Sequence, residues 1–202
     1  MVGQRQFDER RTLDRAREVF WLKGYGATSM QDLASASGVL RGSLYNAYRD
    51  KETLFLRVFD DYAEQFLADA AQALAQPVVD QALRAFFDFT ITSMTTGVPT
   101  RGCLTTKTAI DTKADGERIR AALRDLLDKM ERLVHERLST GEARSRLAIP
   151  PAEAARVLIT MTRGIVVMER VYQDPERLRA TAAALLDALL TPVDPGRRSQ
   201  TG

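Results

Sequence analysis

One cysteine, one histidine and one tryptophan in 202 residues exclude several kinds of chemistry at the outset. The single thiol, Cys103, rules out an internal disulfide, and with no cluster of companion ligands it rules out a Cys-based zinc site. The lone His and the lone Cys fall on separate predicted helices and form no recognisable triad, while Gly24-Tyr25-Gly26 is too short for a nucleotide-binding fingerprint. Neither an enzyme nor a metal or organic cofactor is expected. Also lacking are a charged-then-apolar leader and any apolar run approaching the roughly 20 residues that span a bilayer. The expectation is a soluble protein of the reducing cytoplasm, with no membrane partner. Runs alternating with period two are missing too, whereas apolar residues recur at helical spacing almost throughout, which predicts an all-α fold.

What is present suffices for one small module plus a larger domain, since a chain of this length with 45% hydrophobic content buries a real core. The overall charge of +2 is unevenly spread. Through Arg57, ten Lys/Arg stand against seven Asp/Glu, a net of +3; the remainder carries 19 against 20, a net of −1. That modest asymmetry hints at a polyanionic partner for the amino-terminal part.

The first helix is predicted from about Asp8 to Lys23, with Leu13, Ala16, Val19 and Phe20 on its buried face and Gly24 ending it. Arg5, Arg10, Arg11 and Arg17 then face solvent or phosphate. Either Thr28, with Gln31 three residues on, or Ser29, with Asp32, caps a short second helix that ends near Ser37. Gly38 supplies a sharp turn because glycine tolerates a positive φ, Val39 plugs the corner, and a third helix runs from about Arg41 to Arg49. This is a helix-turn-helix. Its second member carries Arg41, Ser43, Tyr45 and Asn46 on one face, shaped to enter a DNA major groove. Arginine binds guanine O6 and N7 bidentately and asparagine does the same to adenine N6 and N7, whereas hydroxyl and ammonium groups fix register on phosphates. Leu33, Ala34, Val39, Leu44 and Tyr48 are expected in the core instead.

A fourth helix from about Lys51 toward Leu74 carries Leu54, Phe55, Val58, Phe59, Tyr62, Phe66 and Leu67 inward and links the two domains. Pro77, Gly97-Val98-Pro99, Asp115-Gly116, Pro150-Pro151 and Asp174-Pro175 divide the rest into five more helical stretches, nine helices in all. Pro151 and Pro175 suit a helix's first turn, and Asp174 is a good cap. The last two stretches bear long apolar stripes: Val157, Leu158, Met161, Ile165 and Met168, then Leu178, Leu185, Leu186 and Leu189. Such stripes either close the monomer's own core or form a dimer interface, and Gly164 allows close helix approach in both cases. The domains expected are a helix-turn-helix module over 1–50, a helical effector-binding and dimerisation domain over 51–192, and a frayed tail over 193–202.

The amino-terminal residues resemble the TetR family of bacterial transcriptional regulators: Ala16 and Phe20 before Gly24, Thr28-Ser29, Asp32-Leu33-Ala34, Gly38-Val39, Gly42-Ser43-Leu44-Tyr45 and Lys51-Glu52 followed by Leu54. The match covers about the first quarter of the chain; the remainder resembles the family in helix layout only. The resemblance implies a nine-helix, two-domain homodimer paired through its last two helices, whose modules read the halves of a palindromic double-stranded DNA operator. It also implies a small-molecule effector, bound in the larger domain, that spreads the modules apart. Carried over to this sequence, Arg41 and Asn46 fall where base-reading side chains lie, and Ser29, Ser43, Tyr45 and Lys51 fall where phosphates are held. Gln31 and Gly42 complete the candidate DNA-binding set. Leu40 departs from a frequent capping Ser or Thr, and Ala47 from a usual His or Tyr, so both bear on which operator is read. Two modules must then place their reading helices roughly 34–36 Å apart, or further for wider half-site spacing.

For the effector, Phe86, Phe87, Phe89, Met94, Met161 and Met168 form the adaptable apolar lining that small-molecule pockets use, although stripes of this kind also build cores. Cys103, near a helix start between Arg101 and Lys107, joins them as a candidate, because that setting lowers a thiol's pKa; Gly102-Cys103-Leu104 also resembles a segment of the TetR branch that senses oxidants and electrophiles. A buried, inert cysteine is the alternative. His135 is expected to be solvated among Glu131, Arg132, Glu136 and Arg137. The function expected is a ligand-responsive repressor released by its effector, with a helical adaptor or carrier lacking specific DNA binding as the competitor.

Overall fold

The computed structural model describes residues 7–97 and 100–191. The predicted tail, Arg5 and the Val98-Pro99 part of one predicted break lie outside them. The described residues are all-α, with ten helices: α1 (Glu9–Lys23), α2 (Met30–Ser37), α3 (Arg41–Tyr48), α4 (Lys51–Leu74), α5 (Val79–Thr95), α6 (Leu104–Ala109), α7 (Glu117–Ser139), α8 (Gly141–Arg146), α9 (Pro151–Tyr172) and α10 (Pro175–Leu189). The only pairing of strand type among the described residues is a single bridge between Leu147 and Leu190. The helix beyond the expected nine is α8. Gly141, at φ 49°, takes a conformation that other residues rarely adopt, so the chain turns after Ser139 and a short helix follows.

Packing groups the backbone into two units. One comprises residues up to 68 together with 93–128; the other comprises 69–92 together with the chain from 129 onward. The described residues of the expected 1–50 module, 7–50, lie within the first.

The first unit is built on aromatic side chains that recur at helical spacing. Phe20 of α1 meets Phe55 of α4 edge-on at 5.1 Å, Tyr25 meets Phe55 at 5.2 Å, and Phe55 continues to Phe59 at 5.7 Å. Leu33 of α2 and Leu44 of α3 are completely buried, and Leu13, Ala16 and Tyr48 are buried as well. Val19, Val39 and Leu67, expected inside, are only half-buried. Asp8 starts α1 by accepting the Arg11 N–H at 3.0 Å, and Gly24, at φ 82°, ends it.

In the second unit, Leu83, Phe86 and Phe87 of α5 are buried, as are Val134 and Leu138 of α7, Leu158 and Ile165 of α9, and Leu178, Leu186 and Leu189 of α10. Arg137 closes the end of α4 by donating to the carbonyls of Leu74, Gln76 and Pro77 at 3.1, 3.0 and 2.9 Å. Pro151 opens α9, and Asp174 caps α10 by accepting the Arg177 N–H at 3.1 Å. The stripe expected along α9 divides. Leu158 and Ile165 face the core, Met161 is half-buried, and Val157 and Met168 join Val167, Val171 and Tyr172 as exposed apolar side chains.

Candidate nucleic-acid interface

Local hydrogen bonds fix both ends of the reading element. Ser29 caps α2: its hydroxyl accepts the Asp32 N–H at 3.1 Å while the Asp32 carboxylate accepts the Ser29 N–H at 2.9 Å. Lys23 Nζ donates to the other Asp32 oxygen at 2.6 Å. That bond foremost, then those from Ser29, holds the Asp32 carboxyl well below the usual carboxylate range. Thr28, the alternative cap, is buried, and its hydroxyl donates to Gly24 O at 2.6 Å. Gly38 ends α2 in the left-handed conformation that its sequence position predicts.

On α3, Leu44 and Tyr48 are the buried seat, Ser43 is half-buried, and Arg41, Gly42, Tyr45 and Asn46 are exposed. Arg41 lies one turn before Tyr45, its guanidinium 5.4 Å from the ring centroid and donating to the phenol oxygen at 3.4 Å. The cation is thereby held beside the phenol on the outward face. A Cβ added to Gly42 would meet nothing within 4 Å, so this position leaves the helix backbone open to close approach. At the far end Arg49 sits at φ 65°, a conformation costing about 1–3 kcal/mol in a non-glycine residue. The helix that follows fixes this corner, since Asp50 caps α4 by accepting the Thr53 N–H at 2.7 Å. Of the two α2 candidates, Gln31 is exposed and donates to Ser35 Oγ at 3.3 Å, and the Ser29 hydroxyl is engaged in its cap.

Lys51, expected on a phosphate, puts its ammonium on the protein itself. It donates to Tyr25 O at 2.9 Å and Thr28 O at 3.0 Å and stands 4.2 Å from the centroid of the Tyr25 ring. Partial burial pushes the Lys51 ammonium pKa down, and burial, followed by the neighbouring Glu52 and Asp50 carboxylates, pushes the Tyr25 phenol up. Lys51 thus clips the loop that leads into α2.

A second set of contacts on that loop has no counterpart in the sequence pattern. Trp21 Nε1 donates to Gly102 O at 3.2 Å, Lys107 Nζ donates to the carbonyls of Trp21 and Leu22, and the Gly26 N–H donates to Asp111 at 2.6 Å. Residues 102–111 therefore hold the end of α1 and the start of the α2 loop within one packed unit. Cys103, buried, is the residue preceding α6 in this segment.

The seven effector candidates divide between the units. Met94 and Cys103 lie in the first, and Phe86, Phe87, Phe89, Met161 and Met168 in the second. Phe86, Phe87 and Met94 are buried, Phe89 and Met161 are half-buried, and Met168 is exposed. A groove of about 360 Å³ in the second unit, floored by Phe87, Ile91, Ala182 and Leu186, includes only Phe87 of them. His135 is exposed, as expected, with Ser139 Oγ 3.2 Å from its Nε2.

Both halves of the chain match described families. Residues 13–58 match the family of bacterial regulatory proteins named tetR, and residues 80–185 match the tetracyclin repressor-like C-terminal domain. The chain belongs to the TetR family. Among its TetR relatives, the HTH-type transcriptional repressor ComR of Escherichia coli (strain K12) is 29% identical over 186 residues, covering 89% of this chain and 88% of ComR. A cysteine mutant of the TetR family transcriptional regulator CifR, complexed with 26-base-pair double-strand operator DNA, is 29% identical with a TM-score of 0.81, covering 93% of this chain and 99% of that one. The reduced form of E. coli NemR has a TM-score of 0.82 at 18% identity over 92% of this chain and 98% of its own, a likeness of fold. Among the described residues no helix is long and apolar enough to cross a membrane.

Proposed function

We propose that this TetR-family chain is a ligand-responsive DNA-binding transcriptional repressor, which grips a palindromic operator as a homodimer and releases it when a small-molecule effector binds. One observation carries this: Arg41, Tyr45 and Asn46 stand exposed on α3 over the buried seat of Leu44 and Tyr48. Similarity along nearly the whole chain to a repressor, and to a regulator solved on operator DNA, agrees with it. Arg41 and Asn46 read base edges; Gln31, Gly42, Ser43 and Tyr45 hold the backbone, while Ser29, whose hydroxyl and N–H both donate to Asp32, positions α2 rather than a phosphate. Lys51 acts by positioning the α2 loop, with at most its third donor left for a phosphate.

Dimer formation is assigned to α9 and α10. Val157, Val167, Met168, Val171 and Tyr172 leave an apolar face exposed along α9, and a Cβ on Gly164 would meet nothing within 4 Å, which leaves room for a second copy's helix. The effector acts by preferring the conformation in which the reading helices no longer fit successive grooves, and the hold of residues 102–111 on the α1 end transmits that preference. Burial of Cys103 favours a non-covalent apolar effector over an electrophile. Alkylation of Cys103 faster than that of a free thiol at neutral pH would reverse this choice.

Mobility-shift assays against the DNA upstream of the chain's own gene test the proposal, with light scattering giving the mass. A dimer retained on one short palindrome and displaced by unlabelled copies of it is the expected result. Weak, sequence-blind retention would favour the helical adaptor instead.

A further inference from the structure

Leu40 is 80% exposed, more than any other large apolar side chain among the described residues. It occupies the capping position of α3, where a side-chain oxygen normally satisfies a free N–H group, and it makes no side-chain cap. Its backbone is nevertheless fixed, because Leu40 O accepts the N–H groups of Ser43 and Leu44 at 2.9 and 3.2 Å. On either side Gly38 and Gly42 contribute no side chain, and a Cβ at either would meet nothing within 4 Å. A branched apolar side chain thus stands alone at the leading edge of the reading helix, next to Arg41.

The amino-terminal residues of such a helix are those that meet base edges. On the major-groove floor, the apolar feature that a leucine can recognise is the C5 methyl group of thymine. From this placement we infer that Leu40 is a specificity-determining residue that packs on a thymine methyl in each half-site, beside the base read by Arg41. The inference rests on the proposed function, since it requires α3 to enter the groove. The contact buries apolar surface on both partners and needs no hydrogen bond, so it discriminates thymine from cytosine and from uracil, which lacks the methyl group. A serine or threonine here would instead cap the helix and leave that base unread.

The test uses the full-length protein. Duplexes are selected from a random pool by the wild type and by Leu40→Ala and Leu40→Ser, whose folding is checked by circular dichroism. The wild type is expected to enrich thymine at one position per half-site that both variants leave unrestricted. Replacing that thymine by deoxyuridine should weaken the wild type by about three- to tenfold, as expected for one methyl contact, and leave Leu40→Ala unchanged. 5-Methylcytosine in place of cytosine at the same position should recover part of the wild-type affinity. Equal wild-type affinity for thymine and uracil duplexes, or the same thymine preference in Leu40→Ala, overturns the role of Leu40 while operator binding stands. Failure of the wild type to enrich any sequence overturns the proposed function and this inference with it.

Discussion

Asp111 and Gly26, 85 residues apart in sequence, are joined by a 2.6 Å hydrogen bond from the glycine N–H to the carboxylate. A Cβ on Gly26 would lie 2.6 and 2.9 Å from the two Asp111 oxygens and 2.9 Å from Lys113 Cβ. The carboxylate therefore fills the space that any other residue at 26 would need. The same carboxylate group accepts the Lys113 N–H at 3.0 Å, so its position is set from both sides.

Gly26→Ala is expected to lower unfolding stability by about 1–3 kcal/mol, the usual consequence of losing a partly buried hydrogen bond together with local crowding. In denaturant titrations Gly26→Ala and Asp111→Ala should combine less than additively, because removing the carboxylate also removes most of the clash. Strictly additive losses would mean that the two positions act separately.

Lys51→Ala distinguishes a clip from a phosphate contact. With its ammonium on Tyr25 O and Thr28 O, Lys51 should affect operator binding by releasing the α2 loop. The variant is expected to melt at a lower temperature and to bind operator more weakly with a nearly unchanged salt slope. Loss of a phosphate contact would instead reduce the slope of log K against log salt by about 0.9.

Much of the reading module is legible in the residues because its determinants are local. Ser29 and Asp32, three apart, form the capping box; Gly38 adopts the left-handed turn; Leu33, Leu44 and Tyr48 fall inside. The hold of Trp21, Lys107 and Asp111 on the loop was not legible, since it joins residues more than 80 positions apart through main-chain groups that carry no pattern. Lys51 is ambiguous in sequence, since a lysine at a helix start suits both a phosphate and a carbonyl, and only the fold brings the Tyr25 and Thr28 carbonyls to it. Along α9 the spacing of apolar residues is clear, but two apolar faces on one helix read as a single stripe in sequence, and only the fold shows that Leu158, Thr162 and Glu169 lie buried. The operator's sequence is a matter of side-chain geometry in the groove, which helical spacing does not encode.

Acid should separate Asp32→Asn from the wild type in a defined direction. The Asp32 carboxyl is held below its ordinary value, first by Lys23 and then by Ser29, so the ionised form is favoured in the folded chain. Its contribution is fully present above the unfolded-state value of about 3.9 and is lost as pH falls toward the lower folded value. The stability gap between wild type and Asp32→Asn is therefore expected to be constant near neutrality and to shrink progressively below about pH 4. Chemical unfolding at pH 7, 4 and 3 measures it; a gap that widens on acidification contradicts the assignment.

Glu169 is completely buried in the last turn of α9, and among the described residues neither of its carboxylate oxygens has a hydrogen-bond partner. Burying polar carboxyl oxygens without a hydrogen-bond partner is costly. Glu169→Met keeps the length of the side chain and removes that cost, so it is expected to stabilise the chain by about 1–3 kcal/mol rather than weaken it. Glu169→Gln should gain less, because the amide still has polar atoms to satisfy. Since a homodimer's melting temperature depends on protomer concentration, the three proteins are compared at one concentration. Destabilisation by both substitutions would contradict this account of Glu169 as a buried carboxyl without a partner.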